Sequence, residues 1–419
     1  MVKVGILGVG VVGGSVAKIL EQNSDIIEAR SGKKIVVAMG VSKEPRSEFS
    51  FPITYNPMDV INNPEIDIVV EVMGGIDFPF EMVKLALQKG KAVVTANKAM
   101  LAYHRYELQE IAGDIPLMFE ASTAGGIPII GALRNGLSAN HIESIMGIMN
   151  GTCNFILTKM IGEGAQYGDV LKEAQALGYA EADPTFDVGG FDAAHKLLIL
   201  SSIAYGINAK PEDILIEGID VITPTDVEFA KDFEYAIKLL GIAKKVGNGV
   251  ELRVHPTMIP KSSMIAKVDG VMNAVMVRGD AVGETLYYGA GAGGDATASA
   301  VISDIIDIVR GNTNPMLGYK KPLEGGLKLL SRDEITSHYY LRVSVEDKKG
   351  VLAEVTNLLS RLDISIEAMM QKPDNDKDAC VELLFVTHEC KEKQIREAIS
   401  SLEKLSVVHG KVGMIRIEQ

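Results

Sequence analysis

The chain has 419 residues, and at roughly 150 residues per domain this suggests about three domains. Its 42 Lys and Arg against 55 Asp and Glu give a formal charge of −13, which argues against nucleic-acid or anionic-membrane partners. Hydrophobic residues make up 47% and charged residues 23%, as in a packed globular protein; three scattered cysteines and no Cys/His cluster argue against a disulfide framework or a zinc site.

The opening run MVKVGILGVGVVGG reads as a strand, without the cleavage pattern of a signal peptide. No charge-free stretch of about 18 apolar residues is present, so no membrane span is expected and the cytoplasm is the expected compartment. From Met1 to about residue 130, VKVGIL, KIVVAMGV, IDIVVEVM, KAVVTAN and IPLMFEA read as strands apolar on both faces, alternating with helical patterns. One such helix covers Pro79 to Lys89, with Gly90 at its C-terminal cap. This is a doubly wound α/β unit of Rossmann type. Residues 131–311 form an α+β substrate and dimerisation region. GDVLKEAQALG and FDAAHKLLILSSIAYG are helical, two strands flank Gly247-Asn248-Gly249, and MNAVMVRGD and GETLYYG are further strands. The helix at about 295–311 completes the first unit. Residues 312–336, with Pro315, Pro322 and Gly325-Gly326, are a connector. Residues 337–419 read βαββαβ.

Gly8, Gly10 and Gly13, with Val11 and Val12 between them, follow the first strand and open a helix. The first glycine allows the tight turn, the second lets backbone approach a pyrophosphate, and the third lets helix and strand pack closely. The helix N-terminus then offers N–H groups to phosphate. An NAD-selective site places a carboxylate about 20 residues further on. Ser42 and Lys43 stand there instead, with Arg46 near, which favours the 2′-phosphate of NADP; Glu44 leaves NAD open.

Four segments, VVTANKAML, FEASTAGGIPII, GIMNGTCNFIL and ALGYAEADPTFDVGGFDAAHKL, resemble those of the long, regulated homoserine dehydrogenases, and the similarity covers nearly the whole chain. The resemblance implies NAD(P)H-dependent interconversion of aspartate 4-semialdehyde and homoserine, on the route to threonine, methionine and isoleucine.

Asp192 and Lys196 lie four apart on a predicted helix and share a face. Reduction of an aldehyde puts negative charge on its oxygen, and an ammonium can stabilise that charge and donate the proton. Lys196 is the candidate, with Asp192 keeping it charged and aimed, and the resemblance assigns the same lysine as acid/base. Without the resemblance the two would read as a surface pair worth ~0.3–0.5 kcal/mol. Lys98 follows a strand at the carboxyl edge of the first sheet, where ligands of open α/β sheets bind. The resemblance puts Lys98 and Thr95 beside the nicotinamide and substrate. It also implies that Glu181 binds the substrate's α-ammonium, and that Asp187, Asn150, Gly151 and Thr152 line its amino-acid end. Thr152 or Asn154 can instead cap the helix. Cys153 reads as packed, and His195 as structural or exposed. Gly289 and Gly291 precede a helix that reaches the cofactor, or form a packed turn.

By the same resemblance Glu120, through its side chain, and Thr123, Gly125 and Ile127, through their carbonyls, hold a monovalent cation, sodium in the family; an ion-free turn is the alternative. In the tail, Asp347, Gly350 and Val351 match the ACT-domain turn that binds an amino-acid effector, threonine by the resemblance, and a ligand-free pairing module is the alternative. The expected partners are a small-molecule substrate, this effector, and further copies of the chain in a dimer or tetramer. A dehydrogenase for another small amino-acid aldehyde and a non-catalytic amino-acid sensor are the competing readings.

Overall fold

The computed structural model describes residues 1–312, 314–323, 325–373 and 380–419; Thr313 and Glu324 of the expected connector lie outside them. The first half of the chain folds around a six-stranded parallel sheet of β1 (Val2–Leu7), β2 (Ile35–Val41), β3 (Ile53–Thr54), β4 (Ile68–Glu71), β5 (Ala92–Thr95) and β6 (Leu117–Met118). The strand order is 3-2-1-4-5-6, and it reverses direction between β1 and β4. In such sheets a crevice opens at the carboxyl ends beside the reversal. Helices α1 (Val11–Gln22), α2 (Ser24–Ser31), α3 (Pro57–Ile61), α4 (Asp77–Gln88) and α5 (Lys98–Ala112) cover the sheet. The predicted end of α4 holds, with Gly90 in the left-handed region at φ +76°.

Two short helices, α6 (Ala121–Ala124) and α7 (Ile129–Gly131), lead into the second half. There follow β7 (Ile142–Ile148), α8 (Gly151–Glu163), α9 (Tyr167–Ala176), α10 (Thr185–Val188), α11 (Phe191–Tyr205), β8 (Leu215–Ile216), α12 (Pro224–Asp232), β9 (Tyr235–Val246), β10 (Gly249–Pro260), β11 (Met272–Gly279), β12 (Gly283–Ala290) and α13 (Gly294–Val309). Gly247 at φ +57° turns the predicted β9–β10 hairpin in two residues. Helix α11 is buried over nearly its whole length, so its polar residues Asp192, His195 and Lys196 sit in the interior rather than on a wet face. As expected, α13 returns to the first half: Ala298, Val301 and Ile305 pack with Val16 and Leu20 of α1 on one face of the parallel sheet.

The tail contains β13 (Lys328–Leu329), β14 (Thr336–Glu346), α14 (Val351–Arg361), β15 (Ile366–Pro373), β16 (Cys380–Thr387), β17 (Cys390–Lys391), α15 (Glu392–Leu402) and β18 (Gly413–Ile417). Its long elements give the predicted βαββαβ arrangement, with β18-β14-β16-β15 as neighbours. The sequence reading treats the tail sheet and the middle sheet as separate. In the structure they are one: β18 pairs in parallel with β10, Thr257 against Arg416 and Met258 against Ile417. Buried charges line this seam. The Arg416 guanidinium donates to Glu392 within the tail and to Glu217 after β8, at 2.5 and 2.7 Å. Arg253 of β10 donates to Glu418 at 2.5 Å. Among the described residues no helix is long and apolar enough to cross a membrane.

Candidate active site

The glycine fingerprint takes the geometry expected of it. Gly8 has φ +104°, and a Cβ there would lie 2.9 Å from the carbonyl oxygen of Val72. A Cβ on Gly13 would collide with the Gly8 carbonyl, so α1 can lie against β1 only without one. Gly10 caps α1 with no side-chain hydrogen bond, which leaves the first-turn N–H groups to a ligand. Val11 and Val12 form that turn, and Val11 is 79% exposed. At the end of β2, Ser42 is buried and its hydroxyl accepts from the Glu44 N–H, while Lys43 is exposed. Thr95 is fully buried and its hydroxyl donates to Glu71 at 2.6 Å, so its side chain holds the β5 turn together. Glu71 was not anticipated. It also accepts from the Met73 N–H, and so ties together the two loops at the crevice. These features suit a dinucleotide at the carboxyl edge.

Beside this crevice is a cavity of about 540 Å³ lined in part by Lys98, Asn150, Asp187, Asp192 and Lys196. Asp192 is buried in its wall, with one carboxylate oxygen 2.8 Å from the Lys98 ammonium and the other 2.8 Å from that of Lys196. Lys196 also donates to the Met149 carbonyl at 2.6 Å. The Asn150 amide donates to Asp187 and Asp192 at 2.8 and 2.9 Å. Burial penalises charge on Asp192, yet the two lysines hold its pKa well below the usual carboxylate range. Burial lowers the pKa of Lys196, with Asp192 opposing and Lys98 assisting. Burial works the same way on Lys98, but Asp192, Asp187 and Glu181 outweigh it and raise its pKa. Burial raises the pKa of Asp187. The predicted pair is therefore a triad: one carboxylate shared by a buried lysine and by a second lysine from the other half of the chain.

The remaining substrate candidates divide. Asn150 caps α8 by accepting from the Cys153 N–H, so neither Thr152 nor Asn154 is the cap. Gly151 and Thr152 form the first turn of α8 and line the cavity. The Thr152 hydroxyl donates to the Tyr179 carbonyl. Glu181 is exposed and outside the cavity wall, close enough for its charge to act on Lys98. Cys153 is packed, its thiol pKa pushed up by burial. His195 is buried against Tyr103 and Phe186, which agrees with a structural role and excludes an exposed one. Gly289 lies within β12, whereas Gly291 lines the cavity and leads towards α1, where a Cβ on Gly294 would lie 3.0 Å from Val11. Ser122, Tyr179, Asn273 and Thr297 also line the cavity and were missed. Asn273, a lone amide just before the apolar run Ala274–Val277, was the one visible signal among them.

Glu120 is buried and its carboxylate accepts the N–H groups of Ile130 and Gly131 at 2.8 and 2.6 Å. Burial raises its pKa, and burial together with the Glu120 charge pushes Asp304 up to about 8. Two buried carboxylates side by side resist ionisation, and an added positive charge would relieve them. Among the described residues no group of three or more His, Cys, Asp or Glu is arranged to hold a metal. The donors expected here, one carboxylate and backbone carbonyls, are all oxygens, the kind that suits a hard cation rather than a transition metal. In the tail, Gly350 at φ +93° opens α14, with Asp347 exposed and Val351 buried beside it.

Comparison with known proteins gives a consistent result. The family profile described as homoserine dehydrogenase matches residues 128–306, its NAD-binding-domain profile residues 8–114, and the ACT-domain profile residues 339–407. A homoserine dehydrogenase of Helicobacter pylori is 53% identical over 99% of this chain and 98% of its own length. The crystal structure of a homoserine dehydrogenase from Thiobacillus denitrificans is similar at a TM-score of 0.94 and 47% identity, covering 100% of this chain and 98% of that one. A hyperthermophilic archaeal homoserine dehydrogenase in complex with NADPH is similar at a TM-score of 0.65 and 30% identity, covering 75% of this chain and 99% of that one.

Proposed function

The chain belongs to the homoserine dehydrogenases, and from that membership we propose how its own residues divide the work. The enzyme interconverts aspartate 4-semialdehyde and homoserine with a nicotinamide cofactor, within the biosynthesis of threonine, methionine and isoleucine. It carries an ACT domain, consistent with regulation. The observation that carries the division of roles is the shared carboxylate of Asp192, 2.8 Å from both Lys98 and Lys196.

The bound cofactor supplies the hydride that adds to the aldehyde carbon. Gly8, Gly10, Val11, Val12 and Gly13 at the α1 N-terminus would hold its pyrophosphate. Lys196 gives its proton to the aldehyde oxygen as negative charge develops there. Burial lowers its pKa and so makes it the stronger acid of the two lysines. Asp192 aims the Lys196 ammonium and connects it to Lys98, whose side chain is 37% exposed and returns the proton from solvent. The substrate carboxylate meets the α8 N-terminus at Gly151 and Thr152, and its α-ammonium meets Glu181, with Asp187 lining the cavity.

NADP is the proposed cofactor preference. Lys43 stands exposed where an NAD site places a carboxylate, and the archaeal relative was solved with NADPH. Glu120, Thr123, Gly125 and Ile127 are proposed to hold a monovalent cation, sodium. Asp347, Gly350 and Val351 are proposed to bind an amino-acid effector, threonine. The assembly proposed is a homo-oligomer, a dimer or tetramer. Three unpaired cysteines suit a reducing compartment, and the cytoplasm is proposed. Steady-state rates with NADPH and NADH, with and without threonine, test this reading. Faster turnover with NADPH, inhibited by threonine, is expected; no turnover of the semialdehyde would overturn it.

A further inference from the structure

One wall of the active-site cavity is a side chain that none of the contacts above employs. Asn273, the second residue of β11, is 1% exposed, and its Oδ1 has no hydrogen-bond partner among the described residues. An amide oxygen left unpaired in the interior costs about 1–3 kcal/mol, whereas an apolar side chain of the same size would cost nothing there. Its neighbour Asn154 shows the contrast. That amide donates to the Val268 and Met272 carbonyls at 3.1 Å each, and its oxygen accepts from Lys238 at 3.2 Å.

The surroundings of Asn273 are cut to admit it. A Cβ on Gly291 would collide with its Nδ2, while Gly151, which lacks a Cβ because the Val271 carbonyl lies too near, sits in ordinary contact with its Oδ1. These glycines belong to two segments that wall the cavity, the α8 N-terminus and the loop that joins β12 to α13. The amide is thus set between the place assigned above to the amino-acid end of the substrate and the approach of the cofactor. Whichever way it is turned, it offers an acceptor beside two donors.

We propose that Asn273 is a specificity-determining residue of this site, whose amide is completed by an N–H donor of a bound ligand. Resting on the reading of the cavity as the dehydrogenase site, two ligands carry that chemistry: the α-ammonium of the amino-acid aldehyde and the carboxamide of the nicotinamide. A site built around such a bond discriminates against analogues that lack the donor.

The test compares Asn273→Leu, which keeps the volume and removes the polarity, with Asn273→Ala, in the full-length protein. The KM for aspartate semialdehyde, the Kd for NADPH from its fluorescence, kcat and Tm are measured for each. Both variants are expected to melt as the wild type and to weaken one ligand about tenfold, with kcat within about threefold. A shift in KM identifies the substrate ammonium as the donor; a shift in Kd identifies the carboxamide. A Leu variant that keeps both constants within about twofold of wild type overturns the proposal. So does one that fails to fold, because either result makes Asn273 a packing residue. A wild type that binds NADPH but does not turn over the semialdehyde would sink the functional reading instead, and the NADPH arm would still report on Asn273.

Discussion

Replacing Asp192 with Asn keeps the shape of the side chain and removes the charge that Lys98 and Lys196 share. Each ammonium lies 2.8 Å from a carboxylate oxygen. For charge centres about 4 Å apart at an effective dielectric of about 20, each attraction is worth about 4 kcal/mol. Breaking a buried pair on one side costs a similar ~3–5 kcal/mol, because the remaining charge is left uncompensated. Lys196 is the more affected. Burial and the repulsion of Lys98 already favour its neutral form, and Asp192 opposes both. Without Asp192 the amine gives up its proton at lower pH and no longer serves as the acid. A loss of about 3–4 kcal/mol from the transition state corresponds to a fall in kcat of about 10²–10³. The assay is NADPH oxidation with saturating semialdehyde, followed from neutral to alkaline pH. Reduction needs protonated Lys196, so the rate falls as pH rises through its pKa, and in Asp192→Asn that fall moves to lower pH. Wild-type kcat with an unshifted profile would refute the role given to Asp192.

Three further substitutions probe the remaining parts. Lys196→Met is expected to abolish turnover while NADPH still binds in a fluorescence titration; retained turnover would remove Lys196 from the chemistry. Lys43→Glu is expected to lower kcat/KM with NADPH about tenfold or more and to spare NADH, because a carboxylate repels the 2′-phosphate; equal losses with both cofactors would count against the assignment. Arg416→Met leaves the buried Glu392 and the half-buried Glu217 with the partly exposed Arg396 as their remaining cation and is expected to cost ~3 kcal/mol or less, read as a lowered Tm. Against the penalty of burial, Arg416 holds both below the ordinary glutamate range. Their pairing therefore stabilises the fold above that range and is lost as pH falls through the lowered values. The Tm gap between wild type and variant should narrow in acid, and a gap that widens there would contradict this.

The first sheet was legible because its signals are local: apolar runs of strand length, and glycines whose spacing answers to a turn and a close helix approach. The catalytic helix was legible in its spacing but not in its burial. Asp192 and Lys196 at i and i+4 look the same on a wet face as in a core, and only the packing of α11 decides between them. Lys98 could be placed at a sheet edge, yet nothing in the sequence shows that it shares a carboxylate with a lysine 98 residues further on. Glu71 and Asn273 were missed for the same reason, since their partners and surroundings come from other strands and loops. The join between β10 and β18 was hidden because nothing local to Arg253, Arg416 or Glu418 shows that they are buried; the two strands laid side by side enclose them.

That join has a consequence for how the molecule is made. β18 is synthesised after every other strand of the sheet it completes, and Glu418, just beyond it, supplies the short hydrogen bond to Arg253 in the middle of the catalytic half. Until that residue arrives, the Arg253 guanidinium has Glu251 beside it at 3.3 Å but lacks its shortest ion pair. The seam between the catalytic half and the tail is therefore the last part of this sheet to close as the chain is made.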